Sequence, residues 1–221
     1  AMMHYHATPE DHAVLEKKGF LLVDSGATYM DGTTDITRTY PLGELTEDEK
    51  RFYTWTLQSH IDLAKAVWLD YCECKMIDTI AREPLWRHLI NYRCGTGHSV
   101  SFVGNVHEGP HALNSRNTTR MRPGMVVTDE PGVYETDLVG IRIENELVCI
   151  HKADNQYGTF LGFEPLTFVP IATSPILPGV LDKDELAWLN DYHRQVFAKL
   201  APHLNAEERV WLAEKCASIG C

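Results

Sequence analysis

Phe20-Leu21-Leu22-Val23-Asp24-Ser25-Gly26-Ala27, followed by Thr33-Thr34-Asp35-Ile36-Thr37-Arg38-Thr39-Tyr40, is the stretch from which the rest of the chain can be read. An apolar run ends on an acid, Tyr29-Met30-Asp31-Gly32 supplies turn residues, and a second acid sits in a β-branched run. The pattern predicts strands over 19–23 and 33–40, with Asp24 projecting from the first into a cleft and Asp35 carried by the second. Carboxylates on adjacent strands repel, and one pKa rises sharply unless a cation sits between them. A metal site is one reading of the pair, and two ordinary loop aspartates are the other.

The bulk numbers narrow the classes. A chain of 221 residues at 44% hydrophobic content can bury a full core, as one large domain or as one domain with an appendage. A formal net charge of −11 and a pI near 5.4 argue against a nucleic-acid partner or an anionic membrane surface. No apolar run reaches the length of a membrane span, and Ala1-Met2-Met3-His4-Tyr5-His6 has neither the basic nor the apolar region of a signal peptide. Cys72, Cys74, Cys94, Cys149, Cys216 and Cys221 are scattered without a C-x-x-C pair, which suits a reduced, cytoplasmic protein better than a disulfide framework.

Along the chain, Thr46-Glu47-Asp48-Glu49 fits a capping box opening a helix to about Trp68, with Leu57, Ile61, Ala64 and Trp68 on one face. A second helix is expected over 74–90, where Pro84 either starts a new first turn or bends the element. Strands are expected over 125–128 and 140–150. Beyond Phe160 the character changes to an extended, proline-bounded run over 162–170. A helix over 182–200 and a last helix capped by Asn205 follow. The division expected is a working domain over 1–158 and an appended segment over 159–221. Trp188, Tyr192, Phe197 and Trp211 of that segment pack either on the same chain or on a second subunit.

Three further stretches could carry chemistry. Cys94-Gly95-Thr96-Gly97-His98 sets a histidine after a glycine-rich turn, where the lack of side chains admits a metal or substrate. Val126-Val127-Thr128-Asp129-Glu130-Pro131-Gly132 again delivers acids at the end of an apolar strand. Gly140-Ile141-Arg142-Ile143-Glu144 alternates with period two, so Arg142 and Glu144 share a face. The candidate set is Asp24, Asp35, His98, Glu130 and Glu144. Four carboxylates and one imidazole exceed what one tetrahedral ion needs and suit two ions with bridging carboxylates. Mostly oxygen ligands with one nitrogen favour Mn²⁺, Co²⁺ or Zn²⁺. Such a pair, roughly 3.5–4 Å apart, acidifies a bridging water and polarises a carbonyl.

His107-Glu108-Gly109-Pro110-His111 spells the H-E-x-x-H of zinc proteases, a motif that works only on a helix. Gly109 and Pro110 disfavour helix by about 1 and 3 kcal/mol. His107 is better placed as an acid/base group or hydrogen-bond donor beside the metal site, or is a surface loop histidine.

Taken in order, these motifs resemble those of the metallopeptidase family M24 with the pita-bread fold, in particular the eukaryotic cytosolic Xaa-Pro aminopeptidase (aminopeptidase P) type. They are Leu22 to Ala27, Asp31 to Thr39, Gly95 to His98, Asn105 to Pro110, Thr128 to Gly132 and Gly140 to Asn145. Phe163-Glu164-Pro165-Leu166-Thr167 and Trp188-Leu189-Asn190-Asp191-Tyr192-His193 resemble the C-terminal extension of the same group. The resemblance implies an α+β fold with a curved mixed or antiparallel sheet flanked by helices. It implies two metal ions, usually Mn²⁺, bridged by Asp35 and Glu144, with Asp24 holding one ion and His98 with Glu130 the other. It further implies removal of an N-terminal residue that precedes proline. A bridging hydroxide attacks, a histidine steadies the oxyanion, and Glu130 passes the proton to the leaving nitrogen. His4 and His107 match the family's substrate-contacting or proton-shuttling histidines, and Arg142 and Tyr134 match its supporting and pocket positions. A homodimer of the intact protein is implied as well.

Two departures accompany the likeness. Cys94 stands where the family motif has a histidine, leaving a small pocket wall without that hydrogen bond, and Ser99 stands where glycine is frequent. Family members also carry helices, a strand and further domains before the position of His4, so the chain resembles a C-terminal catalytic portion. A prolidase-type dipeptidase and a non-catalytic peptide-binding module are the alternatives on this fold.

Overall fold

The computed structural model describes residues 5–220. The opening stretch forms an antiparallel hairpin of β1 (Phe20–Tyr29) and β2 (Gly32–Pro41) around a two-residue turn at Met30 and Asp31. Gly32 takes φ 149°, a conformation glycine adopts readily and side-chain-bearing residues rarely do. β1 runs further than the apolar run alone indicates, so Asp24 lies mid-strand opposite Thr37, and Asp35 lies opposite Gly26. The two-residue period of a strand then puts Asp24, Gly26, Asp35 and Thr37 on one face.

Helix α1 (Glu47–Ala64) begins at the expected capping box, in which Thr46 and Glu49 bond each other's backbone. It stops at Ala64, short of Trp68. The next residues form β3 (Val67–Leu69), where Trp68 is buried by pairing with Leu161 rather than by a helical face. Val67 and Trp68 are strand formers, and the tertiary pairing overrides the helical spacing. Helix α2 (Cys74–Trp86) holds Pro84 in its last turn and ends before Ile90. Leu89 turns through φ 60°, and the Ile90 N–H closes the helix end by donating to the Leu85 carbonyl at 3.1 Å.

The remaining strands are β4 (Gly97–Ser99), β5 (Glu108–Leu113), β6 (Val126–Asp129), β7 (Gly132–Glu135), β8 (Val139–Arg142), β9 (Asn145–Asn155) and β10 (Gly158–Pro165). Five of them join β3 in one antiparallel sheet of order β3-β10-β9-β6-β4-β5, while β7 pairs with β8. The single strand expected over 140–150 breaks at Ile143 and Glu144. There the Glu144 N–H leaves the ladder and donates to the Thr37 carbonyl at 3.1 Å, docking the β1–β2 hairpin against the break. The segment 107–111 is loop and strand rather than helix, as Gly109 and Pro110 require.

Helix α1 lies between two apolar layers. One side, with Leu63 and Ala64, packs with α2 on the large sheet against Leu113, Val127, Leu147 and Phe163. The other, with Tyr53, Leu57 and Ile61, meets Ile141 and Ile143 together with helices α3 (Lys183–Leu200) and α4 (Ala206–Lys215). Asp182 and Asn205 start those helices with capping boxes. Leu189, Tyr192 and Val196 are buried in this layer and Trp188 packs against it, so the C-terminal segment packs on its own chain, while Trp211 stays 55% exposed. A division at 158/159 falls inside β10, which pairs with both β9 and β3.

Candidate metal centre

The acid-bearing face of the hairpin, the end of β4, the end of β6 and the β8–β9 break converge on a cleft of about 910 Å³. Asp24, Asp35, His98, Glu130 and Glu144 all border it, as do Cys94, His107, Tyr134 and Arg142. His4 lies outside the described residues.

Asp35, His98 and Glu144 each present a ligand atom within 4.8 Å of the other two. Glu130 joins them, its Oε1 standing 3.1 Å from His98 Nε2, while Asp35 Oδ2 stands 3.4 Å from the same nitrogen. Asp24 faces the cleft from a more exposed position and is engaged elsewhere, accepting a hydrogen bond from Arg142 at 2.6 Å. Four of the five candidate ligands therefore cluster, and the fifth is held by a guanidinium.

Threonines hold the cluster. The Thr37 hydroxyl donates to Glu144 Oε2 at 2.6 Å and accepts from Arg142 Nε at 2.9 Å. Thr39 brackets the Arg142 backbone, donating to its carbonyl at 2.8 Å and accepting from its N–H at 3.1 Å. The Thr128 hydroxyl donates to Glu130 Oε1 and accepts from the His98 N–H, each at 2.9 Å, fixing two candidate ligands with one side chain. Arg142 also donates to the Tyr134 hydroxyl. The role of Gly97 differs from that read in the sequence: a Cβ there would fall 1.8 Å from the Thr128 carbonyl oxygen, so glycine lets β4 lie against β6.

The electrostatics show what the cluster lacks. Glu144 is 1% exposed, and its Oε1 is buried with no partner among the described residues. Burial, reinforced by the Glu130 and Asp35 charges, pushes its carboxyl up to about 9 against the opposing pull of Thr37 and Arg142. Burial lowers the His98 imidazole, but Asp35 and Glu130 outweigh it and raise it to about 10. These are the responses of carboxylates gathered without enough positive charge, which a divalent cation supplies. The oxygen-rich donor set with one imidazole and the orphaned Glu144 oxygen fit such an ion.

Other predicted residues take distinct places. The His107 ring stands edge to face on His98 with centroids 4.1 Å apart, at the exposed lip of the cleft. Burial raises Tyr134 to about 12, with Arg142 pulling the other way. Cys94 is half-buried with its thiol 3.8 Å from the Gly132 carbonyl, and burial together with Glu130 pushes its pKa up. Asp129, next to Glu130, points away from the cleft toward His60, 3.1 Å away, deep in the core. Sequence reasoning misses the supporting Thr37, Thr39, Thr128, His60 and Asn145. The signal for two of them is present, since Asp35, Thr37 and Thr39 alternate on one face.

The profile of the metallopeptidase family M24 matches residues 1–151, and that of the C-terminal region of peptidase M24 matches residues 159–219. The chain belongs to metallopeptidase family M24. A probable Xaa-Pro aminopeptidase P of Laccaria bicolor is 40% identical to this M24 chain over 99% of its length, and aminopeptidase P2 of Arabidopsis thaliana is 43% identical over 96%. The chain spans about a third of these relatives, 35% and 31% of their respective lengths. Among solved structures, the X-prolyl aminopeptidase of Caenorhabditis elegans, described as a cytosolic enzyme with a dinuclear active site, superposes with a TM-score of 0.85 at 39% identity. That match covers 90% of this chain and 33% of that one. The prolidase of Pyrococcus furiosus gives 0.59 at 28% identity, covering 69% of this chain and 42% of its own. The fold is the pita-bread fold of these peptidases.

Proposed function

We propose that the intact protein is a dinuclear metallo-aminopeptidase that releases the N-terminal residue from peptides with proline second. The observation that carries this reading is the likeness to the X-prolyl aminopeptidase across both the M24 region and the C-terminal segment, at 39% identity over 90% of the chain. The prolidase likeness stops at 69%. The working region over 1–158 and the segment over 159–221 are proposed as two parts of one catalytic unit.

Asp24, Asp35 and Glu144 would hold one ion, and Asp35, Glu144, His98 and Glu130 would hold the other. Manganese is proposed, with zinc and cobalt as alternatives, because the donors are mostly oxygen. When bound, the ions supply Lewis acidity to the scissile carbonyl and acidify water. Glu130, steadied by Thr128, accepts the proton of the attacking water and hands it to the imide nitrogen as that bond breaks. His107 donates to the carbonyl oxygen as negative charge develops there, from its place over His98. His4 is assigned a second substrate contact. Arg142 spans Asp24, Thr37 and Tyr134, which keeps the first acid aimed and the pocket wall fixed. Cys94 forms part of the substrate wall.

A cytoplasmic homodimer is proposed for the intact protein, with peptides rather than nucleic acid or membrane as partners. No helix of the described residues is long and apolar enough to cross a membrane. The test compares an Arg-Pro-Pro tripeptide with an Xaa-Pro dipeptide after Mn²⁺ loading of the intact protein. Preference for the tripeptide is expected, and cleavage of the dipeptide alone assigns the protein to the prolidases instead.

A further inference from the structure

Arg38 sits on β2 between Thr37 and Thr39, yet its side chain leaves the opposite face of the strand. It is 3% exposed, and among the described residues its hydrogen-bond acceptors are all neutral oxygens. Nε donates to the Pro170 carbonyl at 3.2 Å, and one terminal nitrogen donates to the carbonyls of Thr37, at 2.9 Å, and Glu144. The other donates to Asn145 Oδ1 and the Val169 carbonyl at 2.8 Å, and to the Tyr192 hydroxyl at 3.0 Å. A buried guanidinium is tolerated only when its donors are satisfied. Here they are satisfied half by the Thr37 and Glu144 carbonyls and the Asn145 side chain, around a proposed metal ligand, and half by the C-terminal segment.

Tyr192 is the hub on the C-terminal side. Its hydroxyl accepts from Arg38 and from the Val169 N–H at 3.2 Å, and carbonyl oxygens of Thr167 and Val169 stand 3.1 and 3.0 Å away to take its proton. Its ring stacks on Trp188 at 5.3 Å, and Trp188 in turn stands edge-on to His60 at 5.9 Å. His60 contacts Asp129 at 3.1 Å and the Asn145 amide at 3.3 Å. Asp129 and Asn145 are direct cross-strand partners, one preceding Glu130 and the other following Glu144. The strand ends that present both ligands are thus tied together from behind and anchored to α3.

Glu144 needs this anchor more than its neighbours do. Thr37 grips one carboxylate oxygen, the other has no partner among the described residues, and Glu144 lies in the break where the regular ladder is interrupted. Its backbone is held instead by the Thr37 carbonyl on its N–H and by Arg38 on its own carbonyl. We infer that Tyr192, acting through Arg38, is a positioning residue for Glu144, so that the C-terminal segment forms the back wall of the metal centre rather than a separate module. The inference rests on the dinuclear reading above.

The test uses the intact protein and Tyr192→Phe, which keeps the stacked ring and deletes only the hydroxyl. Mn²⁺ titration calorimetry is expected to show the dissociation constant weakened about 10-fold, the lower end of the range for lost outer partners of metal ligands, with two ions still bound. Val196→Ala, in the same helix and apolar layer, is the control: its melting temperature falls while its Mn²⁺ affinity holds. A Tyr192→Phe protein that melts lower but binds Mn²⁺ within twofold of wild type overturns the inference, leaving Tyr192 as packing alone. Should that variant not fold, Trp188→Phe, which loosens the stack behind the hydroxyl, is expected to weaken Mn²⁺ binding, and unchanged affinity there overturns it equally. Wild-type protein that takes up less than one equivalent defeats the metal reading and this inference with it. Two equivalents with an insensitive Tyr192→Phe defeat the positioning role alone.

Discussion

On the hairpin side of the cleft, most of β1 is exposed, and Asp24, 47% exposed at its side chain, leans on Arg142. On the sheet side, Glu144, Thr128 and Asp129 are buried, and hydrogen bonds from Thr128 and from Thr37 on the inner face of the hairpin brace the ends of β4 and β6 and the start of β9. The same chemical group therefore stands on two kinds of support. A carboxylate on an exposed hairpin can swing between a guanidinium and an ion at little cost. A buried carboxylate with an orphaned oxygen must be placed in advance, because an uncompensated charge there is expensive.

The comparison can be broken at several points. The largest effect is expected on the braced side, where Glu130→Gln in the intact protein removes the proton acceptor and lowers kcat about 10²–10⁴-fold. Steady-state turnover of the tripeptide measures it, and wild-type turnover contradicts the assignment of Glu130.

The next effect comes from the wall behind the centre. His193 is fully buried, its Nε2 accepting from the Ile171 N–H at 3.1 Å, and burial together with the Arg38 charge lowers its pKa to about 4. Between about 6.5 and 4 the unfolded chain binds the extra proton, so stability is complete above 6.5 and declines as pH falls through that window. The full span is worth about 3 kcal/mol. Denaturant unfolding across that range should show it, and His193→Gln, which keeps an acceptor without titrating, should flatten the slope.

Thr37→Val strips the donor from Glu144 and the acceptor from Arg142 Nε in a buried place, and should cost about 1–3 kcal/mol. Asp24→Asn is the counterpart on the open side. It exchanges a half-exposed ion pair for a neutral bond and should change apo stability by less than about 1 kcal/mol. Equal losses for the two variants in parallel urea titrations would abolish the distinction between the supports.

Much of this arrangement is legible in the residues. The acids at 24 and 130 end apolar runs, that at 35 sits in a β-branched run and that at 144 in an alternating one, and the capping box at Thr46, the helix start at 182 and the cap at Asn205 name three helix starts. Helix and strand ends are less legible, since Trp68 satisfies a helical period and a sheet pairing alike, and only the position of β10 decides between them. The break at Glu144 is hidden because Ile141 and Ile143 alternate through it, whereas the lost ladder bond is replaced by Thr37, more than a hundred residues distant. Arg38 and Tyr192 meet from opposite ends of the chain, so no local spacing announces them. Gly97 shows the reverse case, a residue whose importance is visible but whose cause is backbone contact with Thr128.

The central claim is tested most directly by anomalous diffraction from crystals of the intact protein loaded with Mn²⁺. Two peaks are expected in the cleft, Asp35 and Glu144 reaching both, Asp24 one, and His98 with Glu130 the other. A cleft without a peak, or a single ion bound away from Asp35, His98 and Glu144, contradicts it.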